Sequence, residues 1–197
     1  MSTAALSPRP QVIADRLLPR SSVLTDVALV ATGAAVVGAM AQVIIPMWPV
    51  PITGQTLAVM LVGGALGIRR GAAALGVYMA VGLLGVPWFA EANGGAAMAL
   101  APSFGYILGF IPAAALAGWC AERAWDRRPL LAMAGFLLAT AVPFVVGVPF
   151  MAAVLGLTDL ATIAAYGITP FIVPGIIKAA IAAALFPVAW RLLRTRA

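Results

Sequence analysis

The residue with the clearest chemical potential is Lys178, the only lysine of the chain, which interrupts the apolar run ITPFIVPGIIKAAIAAALFPVAW. It lies about eight residues beyond Pro170, or ~12 Å along a helix. A buried ammonium normally faces a cavity or a partner, because desolvating its charge is costly. No aspartate or glutamate lies in the same run. We therefore expect Lys178 to contact a negative or strongly polar group of a ligand; the alternatives are a side chain that snorkels to a polar surface and a neutral amine.

Uncharged hydrogen-bonding groups and aromatic rings are concentrated in three segments, PMWPVPITGQT, VPWFAEANGG and APSFGYILGF. Apolar and aromatic walls with a few polar groups are typical of sites for small ligands. We expect the stiff, proline-rich loop 46–52 to close over such a pocket. Trp88 equally suits an interfacial anchor, and Tyr78 equally suits core packing. The candidate ligand-binding residues are Lys178, Asn93, Glu91, Gln55, Thr53, Ser103, Tyr106, Tyr78, Phe89 and Trp88.

The chain lacks the residues that several kinds of chemistry need. It has no histidine, the commonest general base and metal ligand, and no G-x-x-x-x-G-K-[ST] phosphate loop. Its single cysteine, Cys120, excludes an internal disulfide. The sequence therefore predicts no enzyme activity, no cofactor and no metal site. The modest net charge of +6 more often sets membrane topology than it binds nucleic acid, so no nucleic-acid partner is predicted.

The composition indicates that these residues lie in a membrane. Of the 197 residues, 63% are hydrophobic and only 9% are charged, which is too apolar for a soluble domain. Long runs rich in alanine, leucine and glycine favour helices over barrel strands, which would alternate. The sequence predicts an all-α integral membrane protein with a membrane domain at 23–192 and tails at 1–22 and 193–197. Its six predicted transmembrane helices cover about 23–45, 53–68, 71–86, 104–121, 130–154 and 170–192.

The arginines predict the orientation. All eleven lie before the first predicted helix, between the second and third, between the fourth and fifth, or at and beyond the end of the sixth, on one side of a six-helix zigzag. The opposite loops, 46–52, 87–103 and 155–169, contain no lysine or arginine. Because short cytoplasmic loops carry the excess of positive charge, we expect both termini to be cytoplasmic. Residues 1–22 lack an apolar core followed by a cleavage site, so we expect a retained tail.

The first predicted helix carries alanines at four-residue steps, including Ala31 and Ala35. Small residues at this spacing let helix backbones approach closely. This face therefore suits packing inside the protein or against a partner subunit. The sequence leaves open whether the chain also forms a homo-oligomer.

Four segments resemble elements of one known family. PMWPVPITGQTLAVML resembles the PVPIT-Q-T element of the BioY family, the biotin-specific S components of energy-coupling-factor (ECF) transporters. The segments LGIRRGAAALGVYMAVGLLGVPWFA, GGAAMALAPSFGYILGF and TPFIVPGIIKAAIAAAL are similar to later elements of that family, in the same order and spacing. The resemblance runs from about residue 24 to 190.

The resemblance implies a six-helix, ECF S-component-like protein of the bacterial cytoplasmic membrane that captures biotin with high affinity. It also implies a transmembrane coupling subunit (T component) and two ATPase subunits as partners, with Ala31 and Ala35 matching the family's docking face. Lys178 matches the family's binding lysine, where it could meet either the carboxylate or the ureido group of biotin. The family's binding aspartate falls on Gly175, and the nearest polar replacements are Glu91 and Asn93.

Two other hypotheses compete with biotin capture. The first is an S component for another small vitamin, with Gly175 marking altered specificity. The second is a structural membrane protein without a transport role, in which Lys178 only snorkels.

Overall fold

The computed structural model describes residues 12–18 and 22–194, with the Arg194 side chain excepted, and these residues are mostly helical. Two short strands, β1 (Ile44–Ile45) and β2 (Ile52–Thr53), pair antiparallel with Ile44 opposite Thr53. The helices are α1 (Ile13–Leu17), α2 (Val23–Ala41), α3 (Gln55–Leu83), α4 (Phe104–Glu122), α5 (Pro129–Leu155), α6 (Leu160–Gly167) and α7 (Thr169–Arg194).

Five helical segments of the described residues are long and apolar enough to cross a membrane: Val23–Ala41, Gln55–Leu83, Phe104–Glu122, Pro129–Leu155 and Leu160–Leu193. A protein with several apolar helices of this kind fits a membrane. The prediction of a mostly helical protein with several membrane-spanning segments is thereby confirmed, although the β1–β2 hairpin departs from the predicted all-α class. The segment Gln55–Leu83 covers both the second and the third predicted helices.

The long helix α3 turns back on itself at Gly67. This residue has φ 84° and ψ −179°, a conformation almost restricted to glycine. In a straight helix Gln55 and Tyr78 would lie about 34 Å apart, yet Gln55 Nε2 donates a hydrogen bond to Tyr78 Oη at 2.8 Å. A Cβ on Gly71 would lie 2.9 Å from Gly63 Cα. The halves 55–66 and 68–83 therefore pack side by side as a helical hairpin.

Three predicted boundaries are wrong. The first helix ends at Ala41 rather than 45, because residues 44–53 form the β1–β2 hairpin. The predicted tail 1–22 contains α1, whose Ala14 is buried together with Val12 against α4. The predicted loop 155–169 contains α6, which begins where the Asp159 side chain accepts a hydrogen bond from Thr162 N at 2.8 Å. The remaining tail residues, 1–11, 19–21 and 195–197, lie outside the described residues.

The end of the bundle that contains the α3 turn is rich in paired charges. Arg70 lies 2.7 Å from an Asp15 oxygen and 2.8 Å from an Asp26 oxygen, which ties α3 to α1 and α2. Trp190 Nε1 of α7 donates to Asp126 Oδ2 at 2.5 Å, and the Arg127 guanidinium lies 4.0 Å from the Trp190 ring centre. These contacts fix the arginine-bearing ends of the helices to one another.

The turn at Gly67 gives a direct test of the fold. A Cβ there would lie 2.7 Å from Glu122 Oε1, and its backbone conformation strains any other residue. We expect Gly67→Ala to lower the free energy of unfolding by roughly 1–3 kcal/mol in detergent. Gly76 is the matched control, since a Cβ there meets nothing within 4 Å, and Gly76→Ala should be neutral or stabilising by up to about 1 kcal/mol. Equal losses for the two variants would contradict the hairpin.

The buried Asp126 carboxylate gives a pH test outside the membrane segments. Burial raises its pKa to about 6, against the opposing influences of Trp190 and Arg127. The folded protein therefore binds a proton between about pH 4 and pH 6 that the unfolded chain releases, so this group's contribution to stability falls as pH rises. Asp126→Asn keeps an oxygen acceptor for Trp190 and removes the charge. The free energy of unfolding of Asp126→Asn minus that of wild type should rise by about 2 kcal/mol between pH 4 and pH 7. Thermal unfolding of both proteins at the two pH values measures this difference. A difference that does not change with pH would refute this account.

Candidate functional site

A cavity of about 590 Å³ lies at the end of the bundle away from the α3 turn. Its walls come from the loop 46–51, the starts of α3 and α4, the segment 89–93, the middle of α5 and the first half of α7. The volume is within the range of ligand pockets in proteins. Eight of the ten predicted ligand-binding residues line it: Thr53, Gln55, Phe89, Glu91, Asn93, Ser103, Tyr106 and Lys178.

The ammonium of Lys178 is held on the cavity wall by two oxygens. Its Nζ donates to Thr53 O at 2.5 Å and to Thr56 Oγ1 at 3.0 Å. Among the described residues, no carboxylate lies within 4.0 Å of Nζ. An ammonium has three N–H groups, so one donor remains for a further acceptor. The side chain therefore faces the cavity instead of extending to the membrane surface.

Tyr78 and Trp88 do not line the cavity, so the structure corrects their predicted placement. Tyr78 is fully buried behind Gln55, whose Nε2 donates to its hydroxyl, and that hydroxyl donates to Trp88 O at 3.4 Å. Trp88 Nε1 donates back to Tyr78 O at 2.9 Å. Thr53 Oγ1 donates to Gln55 Oε1 at 2.7 Å. A continuous polar network thus runs behind the wall and fixes the orientation of Gln55.

The rim segment, residues 88–93, places three of the predicted residues at the cavity. Phe89 is 1% exposed and packs edge-on to Tyr78, with ring centres 5.3 Å apart. Glu91 has a left-handed backbone with φ 61°, an uncommon conformation for this residue. Asn93 O accepts from Phe89 N at 2.9 Å, which closes the segment into a tight loop. This loop places Glu91 and Asn93 at the mouth of the cavity.

Sequence reasoning missed part of the wall. Thr140 and Phe144 of α5 and Phe171 of α7 line the cavity. Tyr106, whose hydroxyl donates to Gly167 O at 2.8 Å, packs against both Phe144 and Phe171, with ring centres 5.8 and 6.0 Å away. The missed residues lie in long apolar runs without a motif, so only the helix packing places them at the site.

Gly175, where the resembling family carries an aspartate, is buried on the cavity wall one helical turn before Lys178. A Cβ at this position would lie 3.1 Å from Thr140 Cγ2. A larger residue therefore requires Thr140 to move. Ala31 and Ala35, the predicted docking residues, are both exposed on the outer face of α2.

Comparison with known proteins identifies the family. A model of the BioY family matches residues 11–195. The chain belongs to the BioY family. The probable biotin transporter BioY of Pyrococcus horikoshii is 36% identical over 157 residues, which cover 80% of this chain and 91% of the relative. The biotin transporter BioY of Rhizobium etli is 33% identical over 172 residues, which cover 81% of this chain and 90% of the relative.

A solved structure extends the comparison to three dimensions. The crystal structure of the S-component for biotin from an ECF-type ABC transporter matches with a TM-score of 0.75 and 22% identity, over 87% of this chain and 95% of that one. At this identity the likeness shows a shared fold. The predicted BioY membership and the predicted S-component-like fold are both confirmed.

The network behind the wall gives a prediction about stability. Tyr78→Phe leaves the buried Gln55 Nε2 without its acceptor, so we expect a loss of about 1–2 kcal/mol in the free energy of unfolding. Tyr166→Phe is the matched control, because the Tyr166 ring packs on Trp48 while its hydroxyl is not part of this network. Denaturant unfolding in detergent measures both variants. If Tyr78→Phe costs no more than Tyr166→Phe, the network does not stabilise the wall.

Proposed function

We propose that this BioY protein captures biotin with high affinity and carries it across the membrane as the S component of an ECF transporter. The observation that carries the proposal is the cavity itself, to whose wall all four segments that resemble BioY elements contribute and which is lined by Lys178. The relatives named as biotin transporters, matched over about four fifths of this chain, support the choice of ligand.

Lys178 supplies the specific polar contact in this proposal. Its remaining N–H donates to an oxygen of biotin, which carries acceptor oxygens at both its carboxylate and its ureido end. The aromatic wall around Tyr106 covers the apolar part of the ligand, and Glu91 and Asn93 provide further polar groups at the mouth. With Gly175 in place of the family's aspartate, these two residues take over part of the recognition.

The orientation and the partners form the second part of the proposal. The hairpin at Gly67 divides α3 into two short spans, which gives six spans and puts both termini on the arginine-rich, cytoplasmic side. The protein then lies in the bacterial cytoplasmic membrane with its cavity facing outward. A coupling subunit docks on the exposed Ala31 and Ala35 face, and two ATPase subunits supply the energy. The protein itself catalyses no reaction.

Removing the Lys178 ammonium tests the proposed binding mode. Lys178→Met keeps an unbranched apolar side chain and removes the charge. The biotin oxygen that accepts from Lys178 is then left without a donor. We expect the dissociation constant for biotin to rise at least about 30-fold, measured by calorimetry in nanodiscs. Ile177→Met is the matched control, since Ile177 is 54% exposed on the outer face of α7, and its affinity should equal that of wild type.

Two results would contradict the proposal. Wild-type affinity in Lys178→Met would show that the lysine does not contact the ligand. Saturable binding of thiamine or riboflavin by the wild type, with no binding of biotin, would instead establish an S component for another vitamin.

A further inference from the structure

The side chain of Gln42, just beyond the end of α2, bonds to the rim segment with both ends of its amide. Its Nε2 lies within donor distance of three carbonyl oxygens: Phe89 O at 3.0 Å, Trp88 O at 3.2 Å and Gly38 O at 3.2 Å. Its Oε1 accepts from Ala92 N at 3.1 Å. One exposed side chain therefore connects α2 to both the start and the middle of the rim segment.

The rim segment needs such a connection because its backbone is strained. Glu91 has φ 61° and Ala92 has φ 54°, so two consecutive residues other than glycine adopt the left-handed conformation. Neither Glu91 nor Ala92 is buried. The hydrogen bonds of Asn93 stay within the segment, because its partners are Ala90 and Phe89. Local bonds close the loop, but they do not attach its tip to the helices. The bond from Ala92 N to Gln42 does attach it.

We propose that Gln42 is a positioning residue for ligand binding, which holds the rim segment over the cavity and thereby slows the release of the ligand. Gln42 does not line the cavity. It acts through Phe89, Glu91 and Asn93, which do line it. The inference rests on the proposed function, since biotin is the ligand whose release is slowed.

The test separates positioning from folding by measuring rates. In Gln42→Met the side chain keeps its length and loses the amide, so the rim opens more often. We expect radiolabelled biotin to dissociate about tenfold faster, with the association rate and the number of binding sites unchanged, as expected for the loss of hydrogen bonds at one position. Hydrogen exchange of the ligand-free protein should become faster in residues 88–93 and stay unchanged in α4.

Thr32→Val is the matched control, because Thr32 is exposed on α2, the helix that Gln42 follows, and makes no hydrogen bond to the rim segment. It should leave both measurements at wild-type values. Gln42→Glu is the second variant: it keeps an acceptor for Ala92 N but removes the donors and sets a charge against three carbonyls. It should release biotin at least as fast as Gln42→Met, and it decides the matter if the methionine variant does not fold.

The inference is overturned if folded Gln42→Met or Gln42→Glu releases biotin at the wild-type rate, or if exchange in residues 88–93 is unchanged. Failure of the proposed function gives a different result, because wild-type protein would then bind no biotin at all. The exchange measurement needs no ligand and tests the role of Gln42 in either case.

Discussion

The ammonium of Lys178 must be hydrogen-bonded inside an apolar protein, and this requirement shapes the whole site. Its acceptors, Thr53 O and Thr56 Oγ1, lie where β2 leads into α3. They can reach Lys178 only if the β1–β2 hairpin lies beside the first half of α7. That arrangement leaves a gap between α4, α5 and α7, which is the cavity. Because the two oxygens neutralise no charge, the site retains an ammonium that favours an acceptor from outside the protein.

The two ends of the bundle are built by different physical means. At the arginine-bearing end, ion pairs of Arg70 and the bond between Trp190 and Asp126 tie the helices together. At the cavity end, short loops and side-chain amides do this, with Gln55 fixed by Tyr78 behind the wall and Gln42 holding the rim. Uncharged hydrogen bonds can be broken and remade at lower cost than the bond to a buried carboxylate such as that of Asp126. This difference suits an end that must admit and release a ligand.

Much of the site could be predicted from the sequence, because its polar residues stand out against apolar surroundings. Lys178 and the segments around Thr53, Asn93 and Ser103 were identified in this way, and the structure brings them to one cavity. Thr140 and Phe171 could not be predicted as cavity residues, since a uniformly apolar helix gives no indication of which of its faces points to a site. For Tyr78 the sequence leaves ligand binding and core packing open. The structure shows core packing, because Gln55 lies between Tyr78 and the cavity. The sequence predicts the turn of α3 at Arg69 and Arg70, two residues after its actual position at Gly67. The paired charges indicate where the chain meets the membrane surface, whereas the turn itself needs the positive φ of a glycine.

The central claim is that biotin occupies the cavity and that Lys178 donates to it. The most direct measurement is an experimental structure of the protein with biotin bound. The account predicts biotin between the aromatic wall and the rim segment, with a ligand oxygen within about 3.2 Å of Lys178 Nζ, while Thr53 O and Thr56 Oγ1 keep their bonds to it. Biotin bound elsewhere, or bound in the cavity with Lys178 turned away from it, would contradict the account.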